Sequence, residues 1–276
     1  MDPILSHIVW EPSVAPFSIF GFEIRYYAMC WLAGLVSAYY VVKMVYKKGG
    51  IKEELFDPLF FYCFIGILVG ARLGHCLFYE PEYYLANPIE MLLPIREVNG
   101  AWKFTGYAGL ASHGGVIGVI TGMLLYLKKT KLPFLWVLDS LGIAAPIFAA
   151  FVRLGNFMNS EIIGLPTDAP WGIVFANTGM TTPCHPAQLY ESIAYLTVFI
   201  AIILLYMKFR NKVGTGLYAG FTLFTIFTFR FFVEYIKEVQ VDFENGMFMN
   251  MGQILSIPLI IAGGYLIFRS IKCKKA

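Results

Sequence analysis

Charge is scarce in this 276-residue chain: 14% of its residues are Asp, Glu, Lys or Arg, and 58% are hydrophobic. Ordinary soluble domains carry about 25% charged residues, so a soluble enzyme and a disordered chain are both excluded. The N-terminal segment lacks a basic stretch followed by a short apolar core and a cleavage site, so no cleaved signal peptide is expected. The five cysteines, Cys30, Cys63, Cys76, Cys184 and Cys273, are scattered without paired spacing. That pattern excludes a disulfide framework or a paired-cysteine metal site and reads as small apolar filler. A net charge of +3 is too small to point to nucleic acid. Low-complexity tracts and internal repeats are also missing.

Long apolar runs are what the chain has instead, with 17% aromatic residues and a mean hydropathy of +0.65. Reading through the isolated charges Arg72 and Asp139 gives seven segments: Tyr26–Val42, Pro58–Tyr79, Phe104–Leu127, Leu132–Val152, Ser192–Met207, Val213–Phe229 and Asn245–Phe268. Each approaches the roughly 20 residues that a bilayer helix needs. The runs are continuous rather than alternating, so spanning helices fit and a strand barrel does not. The expected fold is an all-α polytopic membrane protein with seven transmembrane helices, forming one integral-membrane domain over residues 1–276.

Orientation follows from the loops. Lys47, Lys48 and Lys52 follow the first span; Lys128, Lys129 and Lys131 the third; Lys208, Arg210 and Lys212 the fifth; Arg269, Lys272, Lys274 and Lys275 the seventh. The alternate loops carry Glu80, Glu82, Glu90 and Glu97, then Asp168, then Glu238, Asp242 and Glu244. Positive charge marks the cytoplasmic side, which puts the N-terminus outside and the C-terminus in the cytoplasm. Glu80 to Lys103 and Asn159 to Gln188 are rich in turn residues and are expected to form a small extracytoplasmic cap.

Three arginines interrupt the apolar spans: Arg72, Arg153 and Arg230. Each costs about 2.5 to 3.5 kcal/mol at mid-bilayer, so something must offset them. Pairing with Asp139, Glu161, Glu191 and Glu234 would do so and needs no function. Position adds a second reading. The arginines fall late in outward-running spans, and His113 falls early in an inward-running one, so all four are expected in the outer half of the membrane. An arginine-rich cavity at that depth suits a phosphate, and the phosphates there belong to lipids. Arg230 and Glu234 are spaced i, i+4, and Lys237 continues the same helical stripe. Arg72 and His75 are spaced i, i+3. His113 precedes Gly114 and Gly115, a place for close approach, and histidine is tuned for proton transfer near neutral pH. A satisfied interior histidine is the plainer reading of both His75 and His113.

The stretch Phe151-Val-Arg-Leu-Gly-Asn-Phe-Met-Asn-Ser-Glu-Ile-Ile-Gly164 closely resembles the signature of bacterial prolipoprotein diacylglyceryl transferases. That signature reads Gly-Arg, any residue, Gly or Ala, Asn-Phe, an apolar residue, Asn, any residue, Glu, two residues and Gly. Val152 stands where the family has its first glycine, a departure that bears on packing beside the arginine and leaves the polar positions intact. Further resemblances run along nearly the whole chain: Arg25-Tyr-Tyr-Ala-Met29, Gly70-Ala-Arg-Leu-Gly74, Phe78-Tyr79, His113-Gly-Gly115, His185-Pro-Ala-Gln-Leu-Tyr-Glu191, Phe229-Arg-Phe-Phe-Val-Glu-Tyr235 and Met251-Gly-Gln-Ile-Leu-Ser-Ile-Pro258.

The resemblance implies a reaction without a metal or other cofactor. The diacylglyceryl group of phosphatidylglycerol passes to the lipobox cysteine thiol of a prolipoprotein, forming a thioether and releasing glycerol phosphate, in the bacterial inner membrane with the site toward the outer leaflet. It also implies roles. His113 is the candidate base, Arg230 a catalytic group oriented by Glu234, and Tyr27, rather than Tyr26, the matching tyrosine of the first span and a third catalytic residue. Arg153 would hold the lipid head group, supported by Asn156 and Glu161, with Gly164, Arg72 and His185 assigned to the substrate site. Among competing readings, a lipid transporter or flippase would place ionisable groups through both membrane halves, whereas the inner halves here hold little beyond Asp139. An intramembrane protease using Ser112 and His113 is disfavoured because adjacent helical residues point about 100 degrees apart. The aspartate-rich motif of a CDP-alcohol phosphotransferase is absent.

Overall fold

A computed structural model describes residues 7–13, 15–19, 22–93, 95–98, 100–104, 109, 111–238 and 247–272. Cys273, Lys274, Lys275, Asp242, Glu244 and the first residues of the seventh expected span lie outside them. The described chain is predominantly helical, and six of its helices are long and apolar enough to cross a membrane. The contacts gather into two compact bodies: Tyr46–Pro133, and Met1–Val45 with Phe134–Ala276.

The larger body contains strand β1 (Ile8–Trp10), the hairpin of β2 (Phe17–Ile19) and β3 (Phe22–Ile24), and most of helix α1 (Tyr26–Lys48). The smaller body begins with helix α2 (Glu53–Phe78), followed by two short helices, α3 (Pro81–Ala86) and α4 (Pro88–Leu92). Strands β4 (Ile95–Val98) and β5 (Ala101–Phe104) then form an antiparallel hairpin before helix α5 (Ser112–Thr130). Returning to the larger body, helix α6 (Phe134–Met158) leads to strand β6 (Ile173–Phe175), which pairs in parallel with β1. Helices α7 (Ala187–Lys208), α8 (Leu217–Val233) and α9 (Met251–Lys272) complete the described chain, with a short 3-10 turn at Glu234–Ile236.

Several helices outrun the charge-free segments of the sequence: α1 continues through Lys43, Lys47 and Lys48, and α2 starts at Glu53. Long basic stems lie along apolar surface while their heads reach water, so a charge at a span's end does not stop the helix. The third expected span differs more. Its first residue, Phe104, ends strand β5, and the helix starts at Ser112. With polar Ser-His at one end and Lys-Lys-Thr at the other, this 19-residue helix is not among the six apolar ones.

Small residues let helices touch backbone to backbone within each body, the usual device where lipid removes the hydrophobic drive for helices to associate. In the smaller body Gly66, Gly70 and Gly74 of α2 face Gly114 and Gly118 of α5, and Gly122 of α5 meets the Tyr62 carbonyl of α2. A Cβ on Gly70 would stand 2.3 Å from the Gly114 carbonyl oxygen, and one on Gly114 would stand 2.2 Å from that of Gly70. In the larger body Gly220 of α8 meets Gly263 of α9, and Gly142 of α6 meets Ala219 of α8.

Asp139 does not offset an arginine. Its fully buried carboxylate accepts backbone N–H groups from Gly214 and Gly216 at 2.8 and 2.9 Å, and from Tyr218 and Ala219 at 3.0 and 2.9 Å. These donors belong to the turn that opens α8, where the first N–H groups of a helix lack intrahelical partners and the dipole favours an anion. A cluster of Val45, Ile143, Ile202, Tyr206, Val213 and Tyr218 packs the same end of the larger body.

Candidate functional site

Helix α6 ends in the signature stretch. Arg153 Nε lies 3.2 Å from Glu191 Oε2 of α7 as an ion pair, and its Nη1 donates to Asn156 Oδ1 at 3.2 Å. The Asn156 amide in turn donates to Glu161 Oε1 at 2.8 Å. After the helix, Ser160 and Ile162 adopt positive φ of 53° and 60° on either side of Glu161. A β-branched residue is a genuine outlier there, and such strain persists only where its surroundings enforce it. The enforcing bonds are local and tertiary: Glu161 N–H donates to the Asn156 carbonyl, and its own carbonyl accepts from Gln188 Nε2 at 2.7 Å. Tyr27 of α1 lies against Gly155, where a Cβ would stand 3.0 Å from its ring, and its phenol is within electrostatic reach of Glu161 and Arg153.

A second arginine joins the same network. Arg230 Nε lies 3.7 Å from Glu234 Oε1, at the i, i+4 spacing. Glu234 is seated by the start of α9: Asn250 Nδ2 donates to its Oε2 at 3.3 Å, and Gly252 leaves room where a Cβ would fall 2.5 Å from its carboxyl carbon. Asn250 and Gln253 cap α9 reciprocally, each side chain bonding the other's backbone N–H. Lys237 Nζ sits 3.1 Å from both Glu234 Oε1 and Glu191 Oε2, which joins the two arginine pairs into one chain of charges with a buried centre. Tyr195 also donates to Glu191, at 3.0 Å. Acid pairing therefore does offset the cost of Arg153 and Arg230 in the span. It leaves donors over: among the described residues Arg153 Nη2 and both Nη groups of Arg230 have no partner, and planar N–H forks suit carboxylate or phosphate oxygens.

Gly164 is a crossing point. It bridges Lys237, and its N–H donates to the His185 carbonyl at 3.0 Å. A Cβ there would stand 2.6 Å from His185 and 2.7 Å from the Ile236 carbonyl oxygen, so only glycine fits. His185 Nδ1 is 3.1 Å from Tyr190 Oη, which also accepts from Trp171 Nε1 at 2.7 Å.

Arg72 and His113 belong to the smaller body. Arg72 clamps the segment after α2: Nη2 donates to the Glu90 carbonyl at 2.7 Å, Nε to Met91 at 3.2 Å and Nη1 to Gly109 at 3.3 Å, with its guanidinium over the Tyr84 ring. Backbone carbonyls thus take up this arginine's donors. His75 pairs with Glu80 at 3.3 Å and stacks on Tyr79. His113, the second residue of α5, is exposed, and among the described residues it makes no hydrogen bond or ion pair. The glycines after it differ: Gly114 meets α2 backbone, whereas a Cβ on Gly115 would make ordinary contact at 3.6 Å.

A family model described as prolipoprotein diacylglyceryl transferase matches residues 14–269. The chain belongs to this family. Its sequence is 53% identical over 269 residues to a phosphatidylglycerol–prolipoprotein diacylglyceryl transferase of Bacteroides fragilis, covering 97% of each chain. Proteins of the same name from Porphyromonas gingivalis and Chloroherpeton thalassium are 40% identical over 281 residues and 39% over 268 residues. They cover 96% and 97% of this chain and 95% and 96% of their own. Within this diacylglyceryl transferase the charged chain contains two residues that sequence reasoning had not assigned to the site, Glu191 and Lys237. Glu191 was visible as the last residue of the His185-Pro-Ala-Gln-Leu-Tyr-Glu191 motif. Lys237 carried only its helical spacing from Glu234 as a signal.

Proposed function

We propose that this chain transfers the diacylglyceryl group of phosphatidylglycerol to the lipobox cysteine of prolipoproteins. Family membership along nearly the whole chain carries this reading, and two partly buried arginines with unspent N–H donors give it a chemical basis. The cysteine sulfur attacks the glyceryl CH2, the carbon–oxygen bond to phosphate breaks, a thioether forms, and glycerol phosphate leaves. A free thiol with pKa about 8.5 is mostly protonated at neutral pH, so the step needs a proton acceptor. His113 is the proposed base: it is exposed at the start of α5, and a general base has to reach the proton it takes.

Arg153 is the proposed holder of the lipid phosphate, and Arg230 stabilises the charge that grows on the leaving phosphate. Asn156 and Glu161 orient Arg153, Glu234 orients Arg230, and Tyr27 borders the head-group site. Gly164 and His185 act through the backbone crossing, and Arg72 through the segment it clamps. Both bodies would form one integral-membrane domain in the bacterial inner membrane, crossing seven times with the N-terminus outside and the site toward the outer leaflet. On that view α5 is the third of seven spans, packed through its glycines against α2.

The experiment is direct. Purified protein in detergent, given phosphatidylglycerol and a lipobox peptide, raises the peptide mass by one diacylglyceryl group and releases glycerol phosphate. An unmodified peptide beside well-folded protein, or lipid consumed only by hydrolysis, refutes the assignment.

A further inference from the structure

Lys237 is a buried cation without a role in the proposed reaction. Its side chain is 1% exposed, and its Nζ stands 3.1 Å from Glu191 Oε2 and 3.1 Å from Glu234 Oε1. The same two oxygens serve the arginines, Glu191 Oε2 at 3.2 Å from Arg153 and Glu234 Oε1 at 3.7 Å from Arg230. Each carboxylate oxygen therefore lies within ion-pair distance of the lysine and one arginine, and Lys237 Nζ also donates a hydrogen bond to Glu234 Oε1. The chain Arg153, Glu191, Lys237, Glu234, Arg230 contains three cations and two anions and carries one net positive charge.

The backbone pins the lysine separately from its charge. Gly164 bridges Lys237, Leu165 N–H donates to the Ile236 carbonyl at 2.8 Å, and Glu238 N–H donates to the Ile163 carbonyl at 3.2 Å. The strand-like segment that follows the signature thus fixes where the ammonium enters the network. Without that ammonium, two guanidiniums would face two carboxylates as neutral pairs. The carboxylate oxygens would be free to take up the remaining Nη donors, and the surplus positive charge would be gone.

We propose that Lys237 is a positioning residue for an anionic lipid head group. By sharing one ammonium between Glu191 and Glu234 it sets the aim of Arg153 and Arg230, and its charge keeps the cluster attractive to phosphate. The inference rests on reading this cluster as the phosphatidylglycerol site.

The test compares Lys237→Met, Lys237→Gln and Lys237→Arg in the full-length protein in detergent. Equilibrium binding of phosphatidylglycerol and of uncharged diacylglycerol is measured beside transfer kinetics. The expected result is phosphatidylglycerol binding weakened about tenfold or more in the Met and Gln variants, roughly 1.4 kcal/mol or more by the affinity relation. Diacylglycerol binding stays unchanged, KM for phosphatidylglycerol rises, and Lys237→Arg stays within about threefold of the unsubstituted protein. Equal loss for both lipids overturns the proposal, as does unchanged phosphatidylglycerol binding or an Arg variant as weak as Met. Failure of both neutral variants to fold also overturns it, because the lysine is then a structural ion. If the unsubstituted protein binds phosphatidylglycerol without transferring it, the transfer reading fails and the binding comparison still decides the role of Lys237. No binding by the unsubstituted protein overturns both.

Discussion

Arg153 and His113 divide the proposed chemistry between binding and proton transfer. Arg153 has its Nε and Nη1 committed to Glu191 and Asn156, and its remaining fork edge is the part that can meet a phosphate. His113 is exposed and carries no such commitments among the described residues. Arg153→Ala should therefore abolish transfer and weaken phosphatidylglycerol binding about tenfold or more, as expected when a charge-assisted hydrogen bond is lost. His113→Gln should abolish transfer with binding intact. Lipid-binding isotherms and peptide mass shifts on the two variants check this division, and equal loss of binding in both would refute it. At this scale the sequence singled out Arg153, Asn156 and Glu161 through the signature and Arg230 with Glu234 through their helical spacing. Glu191 entered only as a possible acid partner, and its position as the central acceptor depends on α6 and α7 packing side by side.

Two elements of the smaller body make separate predictions. The α2 and α5 helices meet through glycine, so the two glycines after His113 should respond differently. Gly114→Ala drives a methyl group to 2.2 Å from the Gly70 carbonyl oxygen, whereas Gly115→Ala meets the Ala71 side chain at 3.6 Å. Overpacking of this kind costs about 1 to 3 kcal/mol. Thermal unfolding in detergent should show a clear drop for Gly114→Ala and little change for Gly115→Ala. The sequence marked both glycines as a place of close approach, but their facing directions depend on the partner helix.

The β4–β5 hairpin is tied to α4 by Glu90, which accepts from Tyr83 Oη, from Glu97 N–H at 3.1 Å and from Arg96 Nε at 3.3 Å. These bonds, that of Tyr83 foremost, hold the Glu90 carboxyl below its usual range. A carboxylate with a lowered folded-state pKa stabilises the fold fully above its ordinary value near 4.5 and loses that contribution as pH falls through the lowered one. The stability gap between native protein and Glu90→Gln should thus persist at about pH 6 and shrink toward about pH 3. Paired thermal melts across that range measure it, and a gap that widens on acidification would contradict the assignment.

At the scale of the molecule, the proposed topology requires α5 to cross the bilayer. Among the described residues six helices qualify by length and apolarity, and α5 has polar residues at both ends. A seven-span topology puts Gly100 and Lys131 on opposite sides. Alkaline phosphatase fused after Gly100 should then be active, and fusions after Lys131 and at the C-terminus inactive. Activity at both Gly100 and Lys131 would make α5 a non-spanning helix and reverse the sidedness of everything after it.

That the chain is a helical membrane protein, where its apolar segments lie and which family it resembles are all legible in the sequence. These follow from composition and local order: runs of apolar residues need no partner to be recognised, and a signature is contiguous. The sequence does not determine which acid faces which arginine. Asp139 looks available for pairing and instead caps α8, because the turn before that helix and its own first turn bring four unpartnered N–H groups to it. Lys237 looked like one more residue on a charged stripe, yet it lies between carboxylates from two different elements. A buried charge can be satisfied by a neighbour's side chain or by backbone, and that choice is made by how helices and loops pack around it, which only the tertiary structure decides.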